Sequence, residues 1–213
     1  MIHVIITTCD KYSVVIPKTL TFFYRYWTLP HRVTILGVTE GTLRIPVDLR
    51  DNPVSAYYVK RDVSWSANLL RYLATMDADE PFLLLMDDYI VFEVHNNLIQ
   101  AAQDMIRWDD VGCVRLVPWP GPTLPYDVEG FGEIDKRLDY AISLQASFWK
   151  PQTFIDLLDR SWNPWQVELD GSKRARDYGA KFIGCKTCAM NYKEYFERGH
   201  RRPIHADWVD ERL

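Results

Sequence analysis

The stretch Phe82-Leu83-Leu84-Leu85-Met86-Asp87-Asp88-Tyr89 decides the fold of this chain. Its first five residues are all apolar, without the polar alternation of a half-exposed strand. This pattern is typical of a strand that is covered on both faces in a largely parallel sheet. Ligands of open α/β sheets bind beyond the carboxyl ends of the strands. The acidic pair that follows this strand therefore predicts a site.

The segments around this strand alternate between strand-like and helix-like patterns, which predicts an α/β/α sandwich with a Rossmann-like, mostly parallel central sheet. We expect residues 1–213 to form a single domain. The proline- and glycine-rich stretch near 118–140 predicts a long, mobile loop, and 191–213 reads as an irregular polar tail. The predicted strands are 2–7, 32–38, 55–59, 81–86, 111–117, 141–149 and 181–190, and the predicted helices begin near Pro17, Ser64, His95, Pro151 and Pro164.

A second polar strand end follows Ile2–Thr7, where the apolar run stops at Thr7-Thr8-Cys9-Asp10. Carboxyl ends of parallel strands meet at one edge of the sheet. We therefore expect this loop and the acidic pair to face the same cleft.

Composition excludes several classes of function. The net charge of −4 disfavours nucleic-acid binding, and no apolar run is long enough for a transmembrane segment. The first residues lack the features of a signal peptide, and four unevenly spaced cysteines do not form a secreted disulfide framework. These features favour a cytoplasmic protein. Eight Trp and 12 Tyr exceed ordinary use, and flat aromatic faces suit sugars, nucleobases and protein partners.

The acidic pair Asp87-Asp88 has two interpretations. Adjacent carboxylates at the end of a buried strand are costly unless a cation compensates them. Mg²⁺ and Mn²⁺ take one or two carboxylates together with phosphate oxygens and water. Alternatively, the pair caps the following loop or helix.

The order and spacing of four passages resemble bacterial GT-A glycosyltransferases, of the kind found in surface polysaccharide biosynthesis clusters. A full DXD triplet would place an acid where this chain has Tyr89, so only the acidic pair of that motif is present. The passages are 4–12, 62–70, 82–89, and the combination of 143–149 with 163–168.

The resemblance implies a donor half at 1–92, an acceptor half at 93–190 and a tail at 191–213. It implies a nucleotide-sugar donor, with a UDP-sugar first, and a saccharide or glycoconjugate acceptor. It also implies Mn²⁺ or Mg²⁺ as cofactor. The residues implied are Thr7, Thr8, Cys9, Asp10, Tyr12, Asp62, Trp65, Asn68 and Asp87 for the donor, Asp87, Asp88 and His205 for the metal, and Trp119, Tyr126, Gln145 and Trp165 for the acceptor.

Inverting members of this class use a carboxylate as general base near a helix start, and the resemblance assigns that role to Glu168, with Asp170 as its substitute. Such a base takes the proton of the acceptor hydroxyl. The alternative is that Glu168 is an acid in a first helical turn, favoured by the helix dipole.

Three further alternatives stay open. The spacing Cys185-x2-Cys188 followed by His200 and His205 is close to that of a zinc finger, although buried core thiols explain the cysteines as well. A metal-dependent nucleotidyltransferase could use the same acidic pair. A carbohydrate- or nucleotide-binding protein without catalysis would also keep these features.

Overall fold

The computed structural model describes residues 1–60, 63–197 and 199–213. Its strands, in chain order, are β1 (Ile2–Thr7), β2 (His31–Leu36), β3 (Val54–Tyr57), β4 (Phe82–Met86), β5 (Tyr89–Val94), β6 (Val111–Arg115), β7 (Phe131–Glu133), β8 (Ser147–Trp149), β9 (Lys181–Cys185), β10 (Met190–Glu194), β11 (Phe196–Glu197) and β12 (His200–Arg201). Its helices are α1 (Ile16–Tyr26), α2 (Trp65–Leu73), α3 (Asn96–Met105), α4 (Pro151–Leu157), α5 (Pro164–Ala175) and α6 (Pro203–Asp210).

The central sheet has eight strands in the order β3-β2-β1-β4-β8-β6-β9-β7. All of them run in one direction except β8 and β7, which pair antiparallel with their neighbours. The predicted α/β sandwich with a mostly parallel sheet is therefore confirmed.

The sheet is covered on both faces because its central strands are apolar on both faces. Val4 and Ile6 of β1 belong to a core that contains α1 and α3, whereas Ile5 packs into a second core with α2, α4 and α5. All three side chains are fully buried. Each such side chain contributes about 2 kcal/mol of hydrophobic stabilisation, so the continuous apolar runs fix this three-layer arrangement.

The tail departs from the prediction. Instead of an irregular segment, β10 pairs antiparallel with β5, the strand that begins directly after the acidic pair. Ala206 and Val209 of α6 then pack against Phe22 of α1 and Ile90 of β5. Apolar residues at a few positions of the tail are enough to dock it on the domain.

The long loop near 118–140 also contains regular structure, because β7 pairs with β9. Arg115 anchors the loop, although it lies on β6 and is fully buried. Its guanidinium donates to the carbonyls of Pro120, of Tyr140 at 3.1 Å and of Ala141 at 2.8 Å. Both ends of the loop are thus tied to one side chain.

Within the part of the chain that the structure describes, no helix combines the length and the apolar composition needed to cross a bilayer.

A buried histidine gives this fold a stability that depends on pH. His3 of β1 bonds Thr34 at 3.0 Å and Tyr72 at 3.2 Å through Nε2, and its Nδ1 accepts from Arg32 at 3.1 Å. Burial, and then the charge of Arg32, lower the pKa of His3 from 6.5 to about 4. The imidazole is therefore neutral in the folded protein at neutral pH.

Because the pKa of His3 is lower in the folded state, the unfolded state takes up the proton first as the pH falls. The stability contributed by neutral His3 is complete above pH 6.5 and is lost toward pH 4. Between about pH 7.5 and about pH 4.5 the wild type should lose about 2 to 3 kcal/mol more unfolding free energy than His3→Gln. Urea unfolding at the two pH values measures this difference. His200→Gln, at an exposed histidine, should behave as the wild type, and equal losses in wild type and His3→Gln would contradict the prediction.

Candidate active site

A cleft of about 440 Å³ opens where β1 and β4 end. Thr7 of β1 lies beside Met86 of β4 in the parallel register, so the two polar strand ends are neighbours. Two helix starts and part of the tail complete the walls. The lining residues are Thr7, Thr8, Cys9, Tyr12, Val63, Ser64, Trp65, Asn68, Met86, Asp87, Asp88, Asn163, Pro164, Trp165, Phe196 and Gly199.

Asp87 is held firmly at the floor of this cleft and is only 6% exposed. Its Oδ2 accepts a hydrogen bond of 2.6 Å from the hydroxyl of Thr8. Its amide donates to the carbonyl of Thr7 at 3.1 Å, and its carbonyl accepts from the hydroxyl of Thr19 on α1. The carboxylate therefore has a fixed position between β1 and α1.

Asp88 is fixed by the tail. Its Oδ2 accepts from the amide of Phe196 at 3.3 Å, and its carbonyl accepts from the amide of Tyr195 at 2.9 Å. Glu194 lies close enough for its charge to raise the pKa of Asp88. One wall of the site thus comes from a segment more than 100 residues further along the chain.

The electrostatics of the pair fit a bound cation. Burial, and then the charge of Asp88, raise the pKa of Asp87 from 3.8 to about 8, and burial raises that of Asp88 to about 6. Among the described residues neither carboxylate forms an ion pair, and those that line the cleft include no Lys or Arg. A buried and a half-buried carboxylate, with no Lys or Arg among the described lining residues, match the preference of Mg²⁺ and Mn²⁺ for oxygen ligands.

The predicted third metal ligand, His205, is not part of this arrangement. Its Nδ1 lies 3.0 Å from the carbonyl of Glu194, and it lines a neighbouring cavity instead of the cleft. Within the described ranges no three His, Cys, Asp or Glu side chains are grouped so that they could hold one ion. An ion at Asp87 and Asp88 would therefore need substrate oxygens and water to complete its coordination.

Two helix N-termini meet at the same cleft. Ser64 caps α2 by accepting from the amide of Ala67 at 3.0 Å, as its position in the sequence suggests. Asn163 caps α5 in a capping box with Gln166. The amide of Ser66 donates to the carbonyl of Trp162 at 3.2 Å, which joins the two starts. The N-terminal ends of helices carry partial positive charge and favour anions.

The structure brings most of the residues predicted for the donor and the metal to this cleft. Asp10 is an exception, because its exposed carboxylate accepts from Thr39 and Thr42 in the next loop instead of facing the cleft. Asp62 lies outside the described residues. Trp165, predicted for the acceptor, lines this cleft too, and it is 61% exposed. Those that line the cleft as expected are Thr7, Thr8, Cys9, Tyr12, Trp65, Asn68, Asp87 and Asp88.

The residues predicted for the acceptor lie in three different places. Trp119 and Gln145 line a cavity of about 250 Å³ together with Glu194. Gln145 accepts a hydrogen bond from the hydroxyl of Tyr192 there. Tyr126 lies in a separate cavity beside Trp108, because the loop that carries it crosses to β7. The structure therefore does not unite Tyr126 with Trp119.

Glu168 lies on α5 behind the segment that leads into β8. Its Oε1 accepts from the amide of Leu144 at 2.8 Å and from the hydroxyl of Ser143 at 3.2 Å. Among the residues described, none donates to the other carboxylate oxygen. The nearby Asp170 forms an exposed ion pair with Lys173 at 2.7 Å. Glu168 is thus held by two donors from the segment before β8, whereas Asp170 is paired at the surface.

Sequence reasoning missed the contribution of the tail, namely Tyr192, Glu194, Phe196 and Gly199. Its signal was weak but present: Met190 and Tyr192 alternate with polar residues, which is typical of a half-buried strand. The charged residues that follow Tyr192 make this alternation difficult to recognise in the sequence.

Cys185 and Cys188 do not form a zinc site with His200 and His205 in the described parts of the chain. Cys185 is buried on β9, and burial raises the pKa of its thiol to about 12. A protonated thiol in the core is the expected behaviour of a structural cysteine.

The sequence matches no protein-family model and no curated protein. Solved structures do share its fold. GalNAc-T7 with UDP, GalNAc and Mn²⁺ superposes with a TM-score of 0.62 at 11% identity, over 95% of this chain and 45% of the other. TarS from S. aureus in complex with UDP-GlcNAc gives 0.61 at 12% identity, over 93% and 60%. The mannosyltransferase PcManGT from Pyrobaculum calidifontis, in complex with GDP-Man and Mn²⁺, gives 0.54 at 15%, over 99% and 63%.

This chain spans between 45% and 63% of the length of these three structures. Similarity at such low identity establishes a fold and no more. The fold is that of the GT-A glycosyltransferases, a mostly parallel sheet covered by helices on both faces.

The contact between Tyr12 and Gly199 joins the two walls of the cleft. Gly199 has a φ of +80°, and a Cβ there would lie 2.7 Å from the hydroxyl of Tyr12. The ring of Tyr12 packs on Phe196 with centroids 5.1 Å apart. The loop after β1 and the tail are therefore in contact, and a Cβ at residue 199 would require the Tyr12 side chain to move.

Gly199→Ala should displace the ring of Tyr12, whereas Gly41→Ala should not. Gly41 is a matched control, since its φ is +89° and nothing lies within 4 Å of an added Cβ. Both variants should lose about 1 kcal/mol of unfolding free energy, because alanine disfavours positive φ. NMR of labelled tyrosine, with Tyr12→Phe for assignment, should show a shifted Tyr12 signal in Gly199→Ala alone. An unchanged signal there would mean that the two walls are not in contact.

Proposed function

We propose that this chain is a glycosyltransferase that moves a sugar from a nucleotide-sugar donor to a saccharide or glycoconjugate acceptor. The observation that carries the proposal is the pair of buried Asp87 and half-buried Asp88, which lies at the floor of a cleft at the ends of β1 and β4 in a GT-A fold. Solved enzymes of this fold hold UDP, GDP-Man and Mn²⁺.

The shape and chemistry of the cleft support a nucleoside diphosphate as its ligand. Tyr12, Trp65 and Phe196 offer aromatic faces to a base, and the cleft of about 440 Å³ lies within the usual range for small-molecule sites. The starts of α2 and α5 favour the negative charge of a diphosphate. UDP is the first candidate, with GDP as the second.

Asp87 and Asp88 are the residues that would hold Mn²⁺ or Mg²⁺ in this enzyme. When bound, such an ion would stabilise the negative charge that grows on the departing nucleoside diphosphate. The pair itself keeps two oxygens directed at that place, since Thr8 and the amide of Phe196 fix the carboxylates. Among the described residues that line the cleft, none is a Lys or an Arg.

The acceptor would lie toward the cavity that contains Trp119 and Gln145. Glu168 is the proposed general base for its hydroxyl, and the reaction would then invert the anomeric centre. Ser143 and the amide of Leu144 hold one carboxylate oxygen of Glu168, and the second oxygen is left to take the proton. Trp165 at the mouth of the cleft would contact donor and acceptor sugars.

Nucleotide binding should depend on Asp87 and on a divalent ion. UDP or GDP at about 100 times its Kd should stabilise the native state by about 3 kcal/mol, which corresponds to a rise in Tm of about 5 to 10 °C, in the presence of Mn²⁺. Asp87→Asn should abolish the rise in Tm and leave the Tm of the unliganded protein unchanged or higher. The oxygen of the new side-chain amide still accepts from Thr8, and the substitution removes a buried acid. Thermal-shift measurements with UDP, GDP, ADP and their sugars test this.

Two outcomes would contradict the donor site. If no nucleotide shifts the Tm, the cleft does not bind nucleoside diphosphates. If Asp87→Asn responds to nucleotide and Mn²⁺ as the wild type does, the acidic pair does not hold the ion. Asp104→Asn on α3, an acidic residue outside the cleft lining, controls for a general change in charge.

The base assignment predicts a selective loss of turnover. Glu168→Gln should lower kcat for release of nucleoside diphosphate by about 100-fold or more while KM for the donor and the Tm stay unchanged. Glutamine keeps an oxygen for Leu144 and Ser143, so the local structure is retained. The assay measures donor hydrolysis and transfer to an extract of cell-surface glycans. If Asp170→Asn loses activity and Glu168→Gln keeps it, Asp170 is the base instead.

A further inference from the structure

A third cavity, of about 600 Å³, lies at the opposite edge of the sheet from the cleft, where β6 and β9 begin. Through β8, Cys113 of β6 lies level with Phe82 of β4. Asp110, at the cavity, and Met86, at the cleft, are therefore about seven residues apart along the strand direction. At ~3.3 Å per residue this is roughly 23 Å. The cavity is thus distinct from the site described above.

Two aromatic rings form one side of this cavity. Trp108 is 43% exposed, and its ring lies beside that of Tyr126 with centroids 6.5 Å apart and planes 33° apart. The main chain of Trp108 is fixed, because its amide donates to Met105 at 3.0 Å and its carbonyl accepts from Lys150 at 2.6 Å. A main chain that is already held in place limits the loss of conformational entropy when a ligand binds beside it.

Polar groups with free hydrogen-bonding capacity also line this cavity. The carboxylates of Asp127 and Glu133 line the cavity and make no side-chain hydrogen bond or ion pair with any described residue. The hydroxyl of Tyr126 is likewise unpaired within the described ranges. Asp110 and Lys181 form an ion pair of 2.8 Å at the rim. The cavity therefore offers acceptors and donors close to two flat rings.

This combination fits a sugar ring better than other small ligands. The apolar face of a sugar stacks on exposed aromatic rings, while its hydroxyls donate to carboxylates. The cavity is lined by three carboxylates and one ammonium group. This excess of negative charge disfavours phosphorylated or acidic sugars. A quaternary ammonium is less suitable, because Lys181 already lies 5.9 Å from the centre of the Tyr126 ring.

We propose that the cavity beside Trp108 and Tyr126 is a second saccharide-binding site, which holds a neutral or amino-bearing sugar unit. Its assignment to a distant part of the acceptor glycan rests on the proposed glycosyltransferase function. A glycan that bridges the cavity and the cleft would raise the effective concentration of its reactive end near the donor. The second site would then favour long acceptors over short ones without touching the reacting atoms.

The test uses the full chain labelled with fluorotryptophan and ¹⁹F NMR. The eight Trp residues give separate probes of both sites in one sample, and Trp108→Phe and Trp165→Phe assign the two signals of interest. The probes are chitohexaose, mannohexaose, maltohexaose, a glucosamine hexamer, glucose 6-phosphate and choline. We expect at least one hexasaccharide to shift the Trp108 signal with a Kd of about 1 mM, and glucose 6-phosphate to leave it unchanged.

Two variants keep the test independent of a folding defect. Asp127→Asn with Glu133→Gln leaves both rings in place and should weaken the saccharide response of the Trp108 signal about tenfold. Glu40→Gln with Asp48→Asn, at two exposed acids that line neither cavity nor cleft, is the matched control and should leave that response unchanged. UDP with Mn²⁺ should shift the Trp165 signal in every variant that keeps the cleft intact.

The results separate this proposal from the proposed function. A saccharide shift at Trp108 without any nucleotide response at Trp165 would support the second site and remove the donor site. A nucleotide response alone, with no hexasaccharide acting on Trp108, would overturn the second site and keep the donor site. A response of Trp108 to choline only, or saccharide shifts confined to tryptophans of the cleft, would also overturn the proposal.

Discussion

The parallel pairing of β1 with β4 is the interaction on which the rest of the structure depends. It brings Thr7 beside Met86, and therefore brings Thr8, which follows β1, to the acids that follow β4. The short hydrogen bond between Thr8 and Asp87 is a direct result of that register. A shift of one residue would turn the apolar side chains of β1 to the other face and separate these groups. The fold and the position of the candidate site thus both follow from this pairing, and the burial of the strands on both faces determines its register.

The same pairing places Asp87 and Asp88 in surroundings that disfavour their charged forms. A carboxyl whose pKa is raised to about 8 in the folded state, as for Asp87, favours unfolding increasingly as the pH rises from 3.8 through 8. Such a cost is typical of functional sites, where local chemistry conflicts with stability. The two apolar cores offset it here, since they cover both faces of the sheet.

The sequence was most informative where local pattern and burial agree. Continuous apolar runs predicted β1 and β4, and Ser64 predicted the start of α2, because these signals lie within a few residues of each other. Contacts over long separations could not be predicted in this way. Nothing near Tyr126 shows that its loop crosses to β7, and nothing near Asp88 shows that Phe196 will bond it. The position of Asp10 after a strand end suits a ligand site as well as the turn that it stabilises, and the local pattern does not distinguish the two.

The bond from Phe196 to Asp88 joins residues 108 positions apart, and this separation has a consequence for the order of folding. Closing a flexible loop of that length costs roughly 4 kcal/mol of entropy before any contact offsets it. The pairs among β1, β2 and β3, such as Ile2 with His31 and Val33 with Val54, span far fewer residues, so that part of the sheet can form earlier. A ribosome-bound chain that has not yet released β10 would therefore contain a nearly complete sheet with an open groove. Completion of the cleft thus follows formation of the central sheet, and a chain that stops before β10 would lack one wall of the cleft.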